Sequence, residues 1–76
     1  MKTMNLVLQG PQADPARLEQ IAALAEPARV VRLHERALRC EAVAFSPALK
    51  EAVDTAALAA QADASFIEAG QTTTAG

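Results

Sequence analysis

The sequence predicts an α+β fold with the element order strand, helix, strand, strand, helix, strand. Three observations support this prediction. Short apolar or alternating segments flank each of two helical segments. Each helical segment opens with a helix-capping residue followed by proline, and these openings, DPARL and SPALK, lie 32 residues apart. The chain of 76 residues therefore divides into two β-α-β halves within one small domain.

The first half begins with an apolar run over residues 4–9, MNLVLQ, which predicts a buried strand ended by Gly10. Asp14 followed by proline predicts a helix start, because aspartate caps the first turn and proline is preorganised for the first helical position. Apolar residues at i, i+3, i+4 and i+7 then predict a helix over residues 15–25.

Two alternating segments follow, over residues 28–34 and 38–45, and predict a pair of half-buried strands. Val31 and Leu33 are the apolar members of the first alternation. In the second alternation, the apolar residues Val43 and Phe45 fall on the side opposite to the earlier ones. A β-bulge or a change of partner near Ala42 would explain this shift.

A tight reversal over residues 35–37 joins the two strands, and we expect Leu33 opposite Cys40 and His34 opposite Arg39. Cys40 and His34 then point to opposite faces of the sheet. A metal site or a thiol–imidazole pair is the alternative, since both side chains are standard ligands. We expect Cys40 to be a small core residue and His34 to be a surface residue.

The second half predicts a helix over residues 47–61 and a last strand over residues 64–69. Residues 1–70 form one domain in this interpretation, and the small polar stretch 71–76 is a flexible tail or the start of a linker. The split β-α-β pattern is typical of ferredoxin-like folds, with a four-stranded antiparallel sheet and two helices on one face. The residues expected on the open face are Val30, Arg32, His34, Arg39 and Glu41.

Composition excludes several classes of function. Apolar residues make up 51% and charged residues 21% of the chain, as in ordinary globular proteins, and the net charge is −2. Aromatic residues make up only 3%, so stacking on nucleic-acid bases is nearly excluded. A single cysteine excludes a four-cysteine zinc site, and no apolar run is long enough to span a membrane. We expect a cytoplasmic chain with no cofactor and no bound metal.

The loop between the first strand and the first helix is the candidate ligand site. Gly10, Gln12 and Asp14 lie there, just before a helix N-terminus whose N–H groups could bind a carboxylate. A plain strand-to-helix turn, with Asp14 as the cap, is the alternative. The sequence therefore predicts at most an amino-acid-binding loop at these three residues.

Four arginines cluster in the predicted hairpin between residues 29 and 39. Such a cluster predicts either an anion-binding or docking patch, or a solvated face balanced by Glu35 and Glu41. No aspartate lies two residues from another aspartate, so a D-x-D nucleophile and metal motif is absent from the sequence. The residues thus provide no nucleophile–base pair, and we expect the chain not to be an enzyme by itself.

The stretches MNLVLQGPQADPARLEQIAALA, PARVVRLHERALRCEAV and ADASFIEAG resemble the N-terminal, ACT-like segment of proteobacterial phosphoserine phosphatases. The resemblance covers roughly residues 4–70. In that family, such a domain precedes a haloacid-dehalogenase-type catalytic domain with a D-x-D-x-T motif and Mg²⁺ ligands. This sequence has no D-x-D-x-T motif, so no catalytic residue carries over to it.

The resemblance implies a non-catalytic accessory domain in L-serine biosynthesis, with a regulatory, dimerising or docking role. The expected partners are a second copy or a haloacid-dehalogenase-type catalytic domain, and related domains bind amino acids. The alternative is a free-standing interaction or homodimerisation module, because a ferredoxin-like sheet has exposed edges that a partner can extend.

Overall fold

Six elements form in the predicted order, in a computed structural model that describes residues 2–68. They are β1 (Thr3–Gln9), α1 (Pro15–Leu24), β2 (Arg29–His34), β3 (Ala37–Ala44), α2 (Pro47–Ala59) and β4 (Asp63–Glu68). The sheet order is β2-β3-β1-β4, and all neighbouring strands are antiparallel. This architecture confirms the predicted α+β fold of the ferredoxin-like type. The predicted tail, residues 71–76, lies outside the described residues.

Side-chain caps define where both helices begin. Asp14 Oδ1 accepts a hydrogen bond from the Ala16 N–H at 2.9 Å, and Ser46 Oγ accepts one from the Leu49 N–H at 3.1 Å. Each cap satisfies a backbone donor that would otherwise have no partner in the first turn. A proline follows each cap, as the sequence predicts.

One face of the sheet and the inner sides of both helices form the core. Alternate residues of the two central strands contribute to it, Leu6 and Leu8 from β1 and Leu38 and Cys40 from β3, all of them buried. α1 packs on β3 and β1, and α2 packs on β4. The helices therefore pack mainly on the other three strands and leave much of β2 uncovered. Within residues 2–68, the opposite face of the sheet carries none of the core cluster.

The register between β2 and β3 differs from the prediction. Val30, not Leu33, lies opposite Cys40, and His34 lies opposite Ala37 rather than Arg39. The reversal is a two-residue turn at residues 35–36, one residue earlier than expected, and the pairing shifts again between positions 32 and 34. Because side chains alternate with a period of two, this displacement changes which residues share a face.

The assignment of side chains to the open face was therefore partly wrong. Val30 and Arg32 oppose the core residues of β3 and lie on the helix-bearing face, whereas both were expected on the open face. Val31 was expected on the buried side and instead lies opposite Arg39, half-buried, on the open face. Leu33 is also corrected, since it is 41% exposed rather than in the core. The expectations are confirmed for Arg39 and Glu41, which lie on the open face, and for His34, which is exposed at the turn.

The predicted irregularity near Ala42 is confirmed as a break in the β1–β3 register between Met4 and Leu6. Ala42 has φ 59°, and its N–H donates to Asn5 Oδ1 at 3.3 Å. The extra residue restores Val43 to the core side, where it is fully buried.

Replacing Ala42 by glycine is expected to raise the free energy of unfolding by about 0.5–1 kcal/mol, because glycine adopts positive φ without the Cβ clash. Ala42 is exposed, so the change removes no buried contact. The matched control is Ala52→Gly, at an exposed position within α2, which is expected to lower stability by about 1 kcal/mol. Urea unfolding of both variants measures the two effects. Equal losses at both positions would contradict the bulge conformation.

Candidate functional site

One concave surface lies between α1 and the edge strand β2, where the helix leaves most of the strand uncovered. It is an open cleft of about 440 Å³. Leu38 forms part of its floor, and Val30 on the uncovered strand is 47% exposed. Because the lining is mostly apolar, covering this cleft with a partner would remove hydrophobic surface from water. The lining residues are Glu19, Ala22, Ala23, Pro27, Val30, Arg32 and Leu38.

An ion pair stands among the residues that line this cleft, hereafter the α1–β2 cleft. Arg32 Nη2 lies 2.5 Å from Glu19 Oε2, and Arg32 Nη1 donates to the Glu35 carbonyl oxygen at 2.8 Å. Both side chains are substantially exposed, so the pair contributes at most about 1 kcal/mol to stability. Its chief effect is to hold one cation and one anion beside an apolar surface, an arrangement suited to orienting a partner.

The loop predicted to bind an amino acid uses most of its polar groups within the fold. The Gly10 N–H donates to the Arg36 carbonyl oxygen at 3.2 Å, and the Gly10 carbonyl accepts from the Ala13 N–H at 3.0 Å. Asp14 caps α1 through Oδ1, as described above. Gln12 is exposed and lies between these two engaged residues. The predicted residues thus lie together in one loop, and Gln12 is the one whose side chain is exposed and takes no part in the helix cap.

Two further contacts hold this loop in place. Arg36 Nη1 donates to the Ala13 carbonyl oxygen at 2.6 Å, across a sequence separation of 23 residues. A Cβ added at Gly10 would lie 2.7 Å from the Gln61 carbonyl oxygen and 3.1 Å from Ala62 Cα. Gly10 therefore permits the chain after α2 to pass close to the loop, a reason for glycine that involves no ligand.

The hairpin arginines do not form one patch. Arg32 lies on the helix-bearing face beside Glu19, whereas Arg39 lies on the open face, where its Nε is 2.8 Å from Glu41 Oε2. Arg36 donates to the Ala13 carbonyl oxygen of the loop before α1, and Arg29 Nε is 3.9 Å from Glu41 Oε1. These separate partners match the predicted solvated, charge-balanced surface better than a single anion-binding patch.

Cys40 is a core residue, as the sequence predicts, and its side chain is fully buried. Burial raises the pKa of the Cys40 thiol to about 11, since a thiolate is poorly solvated there. The thiol therefore stays protonated at neutral pH and is a poor nucleophile. His34 is exposed near the hairpin turn and lies opposite Ala37.

We expect Cys40 to react with iodoacetamide at neutral pH at least about 100 times more slowly in the folded chain than in the chain unfolded in urea, since burial and protonation both suppress attack. The measurement is mass spectrometry of the alkylated chain against time. Equal rates in the two states would contradict the buried position of the thiol.

The same thiol gives a pH dependence of stability. The folded-state pKa of Cys40 lies above its unfolded value of about 9, so its stabilising contribution is complete below pH 9 and is lost as the pH rises toward 11. Over that range we expect the wild-type chain to lose about 2 kcal/mol relative to a Cys40→Ala variant, which lacks the titrating group. The measurement is the free energy of unfolding of both chains between about pH 8 and about pH 11, and parallel pH dependences would contradict this expectation.

Among residues 2–68, no three or more His, Cys, Asp or Glu side chains come together in a group that could hold a metal ion. Within the same described range, no helix has the length and apolar character needed to cross a membrane.

The sequence interpretation missed the α1–β2 cleft, because it placed Val30 and Arg32 on the other face. The available signal was the end of the first helical pattern before Pro27, which leaves the next strand without a covering helix. Its detection also required the correct register of the hairpin.

Comparison with known proteins matches one family over a large part of the fold. The search of curated proteins and the search of solved structures each give no match. The matching family is described as "Domain of unknown function (DUF4072)", and the match spans residues 6–53, from β1 into α2. This range includes the predicted loop and the whole α1–β2 cleft. Since it covers more than half of the 76 residues, the chain belongs to the DUF4072 family.

Proposed function

We propose that this chain is a non-catalytic accessory domain of a phosphoserine phosphatase in L-serine biosynthesis, and that it docks on the haloacid-dehalogenase-type catalytic domain. The single observation that carries the docking role is the α1–β2 cleft, an uncovered apolar surface with an ion pair beside it. The enzyme class rests on the resemblance of residues 4–70 to the N-terminal segment of that family. A cytoplasmic location is part of this proposal.

In the proposed role, the catalytic domain covers the exposed Val30 and the neighbouring Ala23 and Pro27. Burial of this apolar surface supplies the attraction, and the Glu19–Arg32 pair fixes the orientation through complementary charges. The domain then influences catalysis by position, by covering or ordering the active site of its partner.

The first experiment is to read the source gene beyond the codon for Gly76. The proposal expects an open frame that encodes a D-x-D-x-T motif, either fused to this domain or in a neighbouring gene. If the D-x-D-x-T motif is found neither in the same frame nor in a neighbouring gene, the phosphatase assignment is contradicted.

With the catalytic domain in hand, Val30→Asp is expected to change the rate of phosphoserine hydrolysis or its regulation.

Leu58→Asp is the matched control for that variant. Leu58 is 81% exposed and does not line the α1–β2 cleft, so the same charge is introduced at another apolar surface position. An unchanged rate in both variants, with both chains folded by circular dichroism, would contradict docking through the cleft.

Amino-acid sensing is the regulatory form of this proposal. L-Serine at millimolar concentration is expected to shift the amide resonances of residues 10–14, and Gln12→Ala is expected to weaken the response because Gln12 has the exposed side chain. L-Alanine is the control ligand, since it lacks the hydroxyl group. If serine shifts none of these resonances, sensing at this loop is contradicted. The docking role is tested separately by the Val30→Asp and Leu58→Asp variants.

A free-standing self-association module is the second candidate function. The observation that favours it is the uncovered edge strand β2, whose Val30 and Leu33 are 47% and 41% exposed. Sedimentation of the chain alone tests this function. A monomer at all accessible concentrations would contradict it and would leave docking on another domain as the remaining proposal.

A further inference from the structure

The two edge strands of the sheet carry opposite charge. β2 has the sequence RVVRLH, with Arg29 and Arg32 and no acidic residue. β4 has the sequence DASFIE, with Asp63 and Glu68 and no basic residue. They form the two outer strands in the order β2-β3-β1-β4, so one edge strand carries basic residues and the other acidic residues. One charge on each edge has a partner within the chain, since Arg32 pairs with Glu19 and Glu68 lies 2.7 Å from Lys2, whereas Arg29 is 71% exposed.

The basic edge is unfavourable for pairing with its own copy. Two β2 strands side by side would bring four arginines onto adjoining strands of six residues each. Like charges on facing strands are destabilising. Glu41 does little to neutralise Arg29, because its Oε2 is already 2.8 Å from Arg39 and the Arg29 side chain is 71% exposed. An acidic strand is the complementary partner for this edge.

Strand direction is compatible with a pair between opposite edges. Each neighbouring pair in the sheet is antiparallel, so β2 runs parallel to β1 and antiparallel to β4. A second copy displaced sideways in the plane of the sheet therefore presents its β4 to β2 in antiparallel orientation, with the helices of both copies on the same face. Antiparallel edges extend a sheet by their main-chain hydrogen bonds.

We propose that the chain associates head to tail, with the basic β2 edge of one copy paired to the acidic β4 edge of the next copy. This association goes beyond the accessory role and does not depend on it. Because the contact is heterologous, it does not close as a dimer and can add further copies.

The alternation of side chains restricts the register of this pair, since residues directly opposite each other share a face. Val31 and Ile67 both lie on the open face and are half-buried, and we place them opposite each other. Arg32 then lies opposite Phe66 on the helix-bearing face, with Glu68 on the diagonal. The register thus combines one apolar pair with one diagonal pair of opposite charges, which extends the Glu19–Arg32 and Lys2–Glu68 ion pairs already present within each chain.

Edge-blocked variants test the proposal by sedimentation velocity. Arg29→Glu combined with Arg32→Glu makes both edges acidic, and Asp63→Lys combined with Glu68→Lys makes both edges basic. The wild-type chain is expected to grow beyond a dimer as its concentration rises. Each variant alone is expected to be monomeric, with association weakened about tenfold or more.

The mixture of the two variants is the decisive measurement. The unaltered edges of the two variants carry opposite charge, and so do their two altered edges, so an equimolar mixture is expected to restore the association that each variant alone has lost. If the variant with altered β4 still forms dimers alone, the contact is β2 with β2 and the head-to-tail proposal is overturned. A monomeric wild-type chain at all accessible concentrations also overturns it.

A second pair of variants protects the test against misfolding. Val31→Lys blocks β2 and Ile67→Lys blocks β4 at open-face positions away from the core. Both altered edges carry lysine and repel each other, so we expect each variant alone to be monomeric and the mixture to form a 1:1 complex and nothing larger. Circular dichroism confirms that each variant is folded, and failure to form the mixed complex overturns the proposed pair of strands.

Discussion

Replacing Leu6 by alanine is expected to lower the free energy of unfolding by about 3 kcal/mol. Leu6 lies in the central strand β1, is fully buried, and has Cys40 and Phe66 as its cross-strand neighbours. The substitution removes buried apolar surface and leaves a cavity that strands on both sides limit from collapsing. Urea unfolding followed by circular dichroism measures the change.

The matched control is Leu58→Ala, the same change at a leucine that is 81% exposed. We expect this variant to differ from the wild-type chain by less than about 0.5 kcal/mol. Comparable losses at both positions would contradict the assignment of Leu6 to the core. If the unfolding free energy of only one variant depended more steeply on urea concentration, the substitution would instead have changed the compactness of its unfolded or folded state.

The loss at Leu6 is large relative to what a domain of this size can spare. Small domains bury a limited share of their surface, and stabilities near the lower end of about 5–15 kcal/mol are expected for them. Much of this core is alanine, which supplies little buried area for each residue. The large, fully buried side chains are Leu6, Leu8, Leu18, Leu38, Val43, Val53 and Cys40.

The elements of this fold could be predicted because their start signals are local. Asp14 and Ser46 each precede a proline, and in the structure each side chain accepts a hydrogen bond from the first turn of its helix. The irregularity near Ala42 could also be predicted, since it shifts the alternation of apolar residues within one strand. In each case a few consecutive residues carry the information.

The hairpin register could not be predicted, because its turn has no such local signal. Glu35 and Arg36 form the two-residue turn, where the most informative sequences contain glycine or asparagine. An alternating strand shows that two faces differ but does not show which face is covered. The misplaced turn therefore reversed the assignment of Val30 and Val31, and the cleft beneath α1 was not predicted.

The loop at Gly10 shows a second limit, because its main constraint comes from a distant part of the chain. The sequence places Gly10 between a strand and a helix, and a turn or a carboxylate-binding loop are both suited to glycine there. The close approach of Gln61 and Ala62 appears only when the sheet brings β4 beside β1. A contact between residues about fifty positions apart leaves no pattern in a single sequence.

Replacing Gly10 by alanine is expected to lower the free energy of unfolding by about 2 kcal/mol, because the new Cβ would lie 2.7 Å from the Gln61 carbonyl oxygen. The contacted atoms belong to the backbone and cannot rotate away as a flexible side chain could. The Ala62 N–H donates to the Ala57 carbonyl at 2.8 Å and thereby fixes this connection to the end of α2. Thermal and urea unfolding measure the loss.

Gln12→Ala is the matched control, since Gln12 is exposed in the same loop and is expected to change stability by less than about 0.5 kcal/mol. The pair of variants separates folding from ligand binding. If glycine is required for close packing, Gly10→Ala loses stability equally with and without L-serine, whereas Gln12→Ala loses only the response to serine. A stable Gly10→Ala chain that no longer responds to serine would contradict the packing role and would instead make Gly10 part of the ligand site.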